Sequence, residues 1–367
     1  MADEFWGRAA HAFEIWCLVK VIESMMGADG DSTYMDAAAW VAAGMGLIGR
    51  GSNAFMSGAG KEAASEIREA SKEADERAKK FYGFRGREPQ TVKTNEILKT
   101  VERRGASRVG KSISDCLRTS AWAIYDNEGR LVPFRQGYLS WCQDVVSKVP
   151  AMGTQEALAE CVNSFARSGL RVVYPSGRTR ELWSAMEMNV RDALRKQSND
   201  YNLAQGELFG ADGVEVTAHY MCAADHLPYQ GREFSKAMFE QIQGSLDRPI
   251  AEGMNCRHSV YPCILGAGTT YDREKLKEFE ESSTRMTGFK LKSGRELNAY
   301  EFTQWQRQQE NDVRRIKGAM SLMRAGGQST ERLQRALDAK MDRYAEASKQ
   351  TGIRTRYDRM AAYTFNP

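Results

Sequence analysis

Features that announce a function at sight are scarce in this sequence. There is no Cys-x-x-Cys pair, no Gly-x-Ser-x-Gly and no His-Glu-x-x-His. This removes the standard zinc knuckle, the hydrolase nucleophile elbow and the zincin helix. No apolar run approaches a bilayer span. The longest, Ala37 to Gly49, has thirteen residues, three of them glycine, where about 20 are needed. The first residues, Met1-Ala2-Asp3-Glu4-Phe5, are acidic where a secretory leader is basic. One-signed charge is also lacking: 52 Lys and Arg face 48 Asp and Glu, a net charge of +4. No repeat or low-complexity tract occurs. The seven cysteines, an odd number, are scattered. That predicts reduced thiols and a cytoplasmic setting rather than a disulfide scaffold.

What is present is globular composition, 42% hydrophobic and 27% charged. Apolar spacing predicts helices over Ala9 to Met26, Tyr34 to Ile48 and Gly60 to Phe81, the last with an alanine-rich seam (Ala63, Ile67, Ala70, Ala74, Ala78). Gly83 to Pro89 is a break. Trp122 to Val132 reads as a hairpin turning at Asn127 to Gly129, and Gly213 to His219 as a strand. Further helices are expected at Gln136 to Val149, Thr154 to Arg167, Arg178 to Gln197, Asp272 to Glu281, Asn298 to Arg324 and Thr330 to Lys349. The fold class is therefore α+β, mostly helical, with a small central mixed α/β core flanked by long helices. The expected parts are residues 1–88 (helical), 89–271 (central α+β) and 272–367 (helical).

Three of the 4 histidines fall within forty residues of one another and beside cysteines. His219, His226, Cys256 and His258 are four donors of the type tetrahedral zinc takes, with Cys222 and Cys263 as alternates. Three readings are open: a hydrogen-bonded cluster pinning two loops, a structural zinc, or a catalytic metal. Two phosphate motifs match by letter. Gly105-Ala-Ser-Arg-Val-Gly110-Lys111-Ser112 spells a P-loop, but charged, helix-like residues precede it instead of a strand. Gly44-Met-Gly46-Leu-Ile-Gly49 spells a dinucleotide fingerprint at the end of an alanine-rich helix. The basic excess lies at the C-terminal end: residues 300–359 hold thirteen Lys and Arg against eight Asp and Glu, +5, leaving −1 elsewhere. On the helix from Asn298, Phe302, Trp305, Val313, Ile316, Met320 and Met323 form one face. Arg307, Arg314, Arg315 and Lys317 lie off it, as candidates to meet DNA phosphate, an acidic partner surface or simply solvent.

Around the cluster the residues follow a recognisable order. Glu215-Val-Thr-Ala-His219, His226, Tyr229-Gln230-Gly231-Arg232, Asn255-Cys256-Arg257-His258 and Pro262 resemble the signature of the phage minor capsid protein 2 family, within the Mu F-like head morphogenesis proteins. Phe165 to Gly177 and Tyr300 to Lys317 resemble two further family segments. The sequence departs at Cys222-Ala223-Ala224, where the family often has Ala-Arg-Pro, and at Arg232, where it has Lys. The resemblance implies a Mu F-like core with an ADP-ribosyltransferase-like fold. It also implies a minor virion component of a tailed phage, acting near the portal in head morphogenesis and DNA packaging, and in the host cytoplasm during assembly. The implied partners are the portal protein, a major capsid or scaffolding protein and packaged duplex DNA. A non-enzymatic role is expected, with ADP-ribosyltransferase-like or P-loop nucleotide chemistry as the alternative.

Overall fold

A computed structural model of the chain describes residues 2–26, 37–83, 93, 95–165, 169–252 and 256–361. Helices dominate it, as the composition and spacing predict. In chain order the elements begin with α1 (Ala2–Met26), α2 (Ala37–Gly83), α3 (Glu96–Cys116), β1 (Trp122–Tyr125), β2 (Leu131–Pro133), α4 (Phe134–Met152) and α5 (Thr154–Phe165). Then come β3 (Arg171–Val173), β4 (Thr179–Glu181), α6 (Leu182–Leu208), β5 (Gly213–Val216), β6 (Glu233–Ser235), α7 (Lys236–Ser245) and β7 (Val260–Cys263). The chain ends with α8 (Arg273–Thr284), β8 (Met286–Lys290), β9 (Glu296–Asn298), α9 (Ala299–Ala325) and α10 (Glu331–Thr351). The strands form three small antiparallel sheets, ordered β2-β1-β3-β4, β6-β5-β7 and β8-β9.

As expected, α1 buries one side, and it leaves Arg8, Trp16, Val19 and Lys20 half-buried and Glu23 exposed on the other. Trp6, Ala10, Phe13, Cys17, Leu18, Val21 and Ile22 are all inaccessible, packed between α2, α6 and α9. A continuous apolar stripe of this kind sets the helix against a core. The largest core draws on α1 through α6 and also on Ala319 and Leu322 of α9. Residues 289–360 build a second core around Phe302, Trp305 and Tyr344, and β5, α7 and β7 a third.

The two helices expected before residue 83 are one 47-residue helix. Its glycines do not break it, because they admit neighbours. A Cβ on Gly51 would lie 2.1 Å from the Trp16 ring, and one on Gly44 would lie 2.4 Å from the Tyr138 hydroxyl. Gly44 is thus a packing position, and Gly46 and Gly49 lie in the same unbroken helix, so the triplet is not a dinucleotide loop. Gly105, Gly110, Lys111 and Ser112 likewise lie inside α3, which starts at Asn95, whose side chain accepts from the Ile97 and Leu98 amides. In a continuous helix the backbone N–H groups are spent on the helical ladder, so no phosphate cradle forms. Gly105 is there for close packing: its Cβ would stand 1.9 Å from Gln197 of α6.

Glu14 of α1 supplies what the start of α6 lacks. Glu181, the residue before α6, gives no side-chain cap. The Glu14 carboxyl instead accepts from the Trp183 amide at 3.4 Å and from the Leu170 amide at 2.8 Å. Burial pushes its pKa up to about 8, from an ordinary 4.5. The folded chain therefore keeps a proton that the unfolded chain releases. Stability must fall as pH rises from about 4.5 to about 8, by at most about 1.4 kcal/mol per pH unit. Glu14→Gln keeps an acceptor and loses that slope. Denaturant unfolding at pH 5 and pH 8 should show the variant gaining on the wild type at the higher pH. An equal difference at both would mean that Glu14 ionises without cost.

Candidate metal centre

The His/Cys residues sit where two loops are stitched to one strand end. At the end of β5, Val216 donates to the Arg232 carbonyl at 3.0 Å, and its own carbonyl accepts from Gly231 at 2.8 Å. Thr217 donates to the Ser259 carbonyl at 3.0 Å, and Ser259 returns a bond to the Thr217 hydroxyl at 2.9 Å. His219 thus leaves β5 beside Cys256 and His258, which lead into β7. The signature residues build this junction. Buried Gln230 accepts from the His219 amide at 3.3 Å. Gly231 turns at φ +67°, and a Cβ there would press on Leu276 at 2.2 Å. Pro262 of β7 packs on Gly206 of α6, where a Cβ would lie 2.1 Å away. Arg257 is exposed and faces a cavity. Asn255 lies outside the described residues.

The donors form two overlapping groups rather than one set of four. His226, Cys256 and His258 make one; His219, Cys222 and His258 make the other, with the donor atoms of each within 4.8 Å. His258 belongs to both through opposite ring nitrogens. Its Nδ1 is 3.4 Å from Cys256 Sγ and its Nε2 is 3.6 Å from Cys222 Sγ. Cys222, an alternate in the sequence, is therefore as central as His219. Cys263 stands apart, at the far end of β7 opposite Gly213.

Backbone carbonyls orient two of the rings. His226 Nε2 lies 2.7 Å from the Arg248 carbonyl and His219 Nδ1 lies 2.9 Å from the Tyr220 carbonyl. Each carbonyl only accepts, so these nitrogens carry hydrogen. His226 Nδ1, 3.5 Å from Cys256 Sγ, and His219 Nε2 are left to act as ligands. Burial, then the neighbouring histidines, lowers the pKa of His258 to about 3. Burial also lowers His219. Both rings are thus neutral at pH 7, as metal ligation requires. The two thiols differ. Burial, then Cys256, pushes Cys222 up to about 12. Burial would raise Cys256 too, but hydrogen bonds from His226 and from the Ala251 and His258 amides hold it below the usual thiol range. His226 is raised although burial opposes it, through its bonds to Cys256 and the Arg248 carbonyl. One soft donor inclined to thiolate, with two imidazoles beside it, suits zinc.

Sequence reasoning missed the supports of this centre. Ser282 and Ser283 of α8 accept from the Met221 and Cys222 amides at 3.2 and 2.9 Å. Asn199 of α6 donates to the Ala251 carbonyl at 2.9 Å and accepts from Val260 at 3.2 Å. Asp225 and Arg248 form a bidentate pair next to His226. The bonds hold two non-glycine residues at positive φ, Met221 (57°) and Ala251 (60°), conformations that persist only when their surroundings enforce them.

Of the basic residues of α9, Arg314 is buried, Arg307 and Lys317 are half-buried and Arg315 is exposed. Arg314 is 4% exposed, stacked 4.9 Å from the Trp183 ring, paired with Glu187 and bonded to the Arg359 carbonyl. Lys317 donates to the Met360 carbonyl. Arg307 pairs with Glu187 at 2.9 Å, and Arg315 pairs with Glu181 and Asp312. The physical reason is that α9 is covered on two sides, by α1 and by α10. Its guanidinium groups fasten it to α6 and to the C-terminal segment. Glu310, within the segment that resembles the family's C-terminal helix, is 2% exposed and accepts from the Tyr344 hydroxyl at 2.8 Å.

No helix among the described residues is long and apolar enough to cross a membrane. No curated protein and no solved structure matches the chain. The sequence does match a protein family, phage minor capsid protein 2, over residues 18–350. That span takes in the end of α1, all of α2 to α9, the two donor groups and nearly all of α10, so the chain belongs to the phage minor capsid protein 2 family, a structural family of bacteriophage virions.

Proposed function

We propose that this protein is a minor virion component that works next to the portal, in head morphogenesis and DNA packaging, in a structural rather than a catalytic role. The observation that carries the reading is the family match over residues 18–350. The physical layout supports it. Charged residues cover the exposed sides of the second half of α2, from Lys61, and of α10, leaving polar surfaces for other virion proteins, the portal protein and a major capsid or scaffolding protein above all. Packaged DNA would meet such outer charges and not Arg314 or Lys317, which are engaged within the fold. Assembly would take place in the host cytoplasm.

The reading includes a structural zinc. Cys256, His226 and His258 would hold it, with His219 and Cys222 on the other side of His258 as the competing set. Bound there, the metal would tie the loop after β5 to the loop before β7, a link made otherwise by single hydrogen bonds. Quantitative mass spectrometry of density-purified virions tests the virion role. The expected result is a copy number of the same order as the portal protein and far below the major capsid protein. Absence from both virions and procapsids, with free protein in infected cells, would overturn it.

A further inference from the structure

A cavity of about 850 Å³ opens beside the His/Cys centre, walled by α6, the two loops, α9 and the segment after α10. That volume falls in the range of sites for small ligands. Its charge is what sets it apart. Eight arginines line it, from Arg191 in α6 to Arg359 at the C-terminal end, against two carboxylates, Glu310 and Asp358. Glu187 and Asp225 pair with three of these arginines from outside the lining. No lysine is among the lining residues.

The C-terminal wall is fixed in place. Gln306 donates to the Arg354 carbonyl at 3.3 Å, and the Arg356 amide donates to the Tyr344 hydroxyl at 2.9 Å. Arg314 bonds the Arg359 carbonyl. These bonds use the backbone of the segment and hold Arg354 and Arg356 in the cavity wall. Arg257, from the loop before β7, faces the same space. Like charges gathered in a walled space repel one another, and a multiply charged anion relieves that repulsion. Guanidinium forks match the tetrahedral oxygens of phosphate with paired hydrogen bonds. Two tyrosines, Tyr300 and Tyr357, also line the space, the second 46% exposed.

We propose that this cavity binds a small polyphosphate, the shared chemistry of an inorganic phosphate chain and the phosphates of a nucleotide. The cavity borders the metal donors, His219, His226, Cys256 and His258 being among its lining residues, and is separate from the glycine motifs; binding there does not depend on where in the virion the protein sits.

The test is calorimetric titration of the full chain at low salt with inorganic tripolyphosphate and, separately, with ATP. Three variants accompany the wild type. Arg257→Glu and Arg354→Glu change exposed residues of the cavity wall, and Arg332→Glu makes the same charge change on an exposed position of α10 outside it. Binding at one site is expected, weakened about ten- to hundredfold by each cavity variant and not by Arg332→Glu. ATP binding more tightly than tripolyphosphate would assign the tyrosines to a base; equal affinities would assign the phosphate chain alone. Should either cavity variant fail to fold, Gln304→Glu, on an exposed lining position of α9, carries the same comparison. No binding of either probe would overturn the proposal. So would an equal loss in Arg332→Glu, or binding of a duplex oligonucleotide that tripolyphosphate does not displace.

Discussion

Glu187→Ala should destabilise the fold by about 3–5 kcal/mol, the cost of removing one partner from a buried charge network. Glu187 sits on α6 with its side chain 7% exposed, and three arginines converge on it. Arg191 comes from the same helix, and Arg307 and Arg314 from α9. Gly7 of α1 leaves room for the carboxylate, since a Cβ there would lie 2.4 Å from Glu187 Oε2. Burial alone would raise the Glu187 pKa, but the fields of Arg307, Arg191 and Arg314 outweigh it and hold the carboxyl below its ordinary 4.5. A depressed carboxyl stabilises the folded state above its unfolded pKa. The contribution is lost as pH falls through the lower, folded value. Without the carboxylate, three guanidinium groups are left facing one another at the join of α1, α6 and α9. Chemical denaturation at pH 7 measures the loss. A change under about 1 kcal/mol would show that the arginines find other partners and that the network is not what fastens α9.

Cys256→Ser should remove zinc from the purified protein, and Cys222→Ser should leave it bound. The asymmetry follows from the thiols: binding requires thiolate, and Cys256 is held low while Cys222 is pushed to about 12. Loss of a ligand leaves the two loops joined only by their hydrogen bonds. The melting temperature of Cys256→Ser should therefore fall further than that of Cys222→Ser, and chelation of the wild type should reproduce the fall. Elemental analysis beside thermal melts reads both effects. Zinc retained by Cys256→Ser and lost by Cys222→Ser would move the site to the other side of His258. A wild type free of zinc, with a melt insensitive to chelator, would leave a hydrogen-bonded cluster.

The sequence exposes the parts of this fold in which local physics and tertiary packing agree. Asn298 and Glu301 cap α9 reciprocally, and the predicted helix starts there. Asp126 closes the β1–β2 turn onto Glu128 and Arg130, where the hairpin was expected. Agreement fails where a helix is central. α1 buries His11 and Glu14 on its core-facing side, polar residues that periodicity alone would turn to solvent. α9 buries Arg314 and Glu310 in ion pairs, which periodicity reads as solvent-facing. The expected gap between Ile48 and Gly60 is helical, and Gly51 within it carries the Trp16 ring. At the metal centre, clustering gave His219, His226, Cys256 and His258. Their division into two groups was not legible, because it depends on Ser283 of α8 holding the Cys222 amide from 61 residues away. Asn199 carries no signal either: it is a single amide in the middle of a helix.

The claim at the centre of this account is position beside the portal, and cross-linking mass spectrometry of purified procapsids tests it most directly. Lys292 on the β8–β9 turn and Lys349 near the end of α10 are exposed and can be cross-linked. The account predicts cross-links from these surfaces to the portal protein. Cross-links confined to the major capsid protein, spread over the shell with none to the portal, would contradict it.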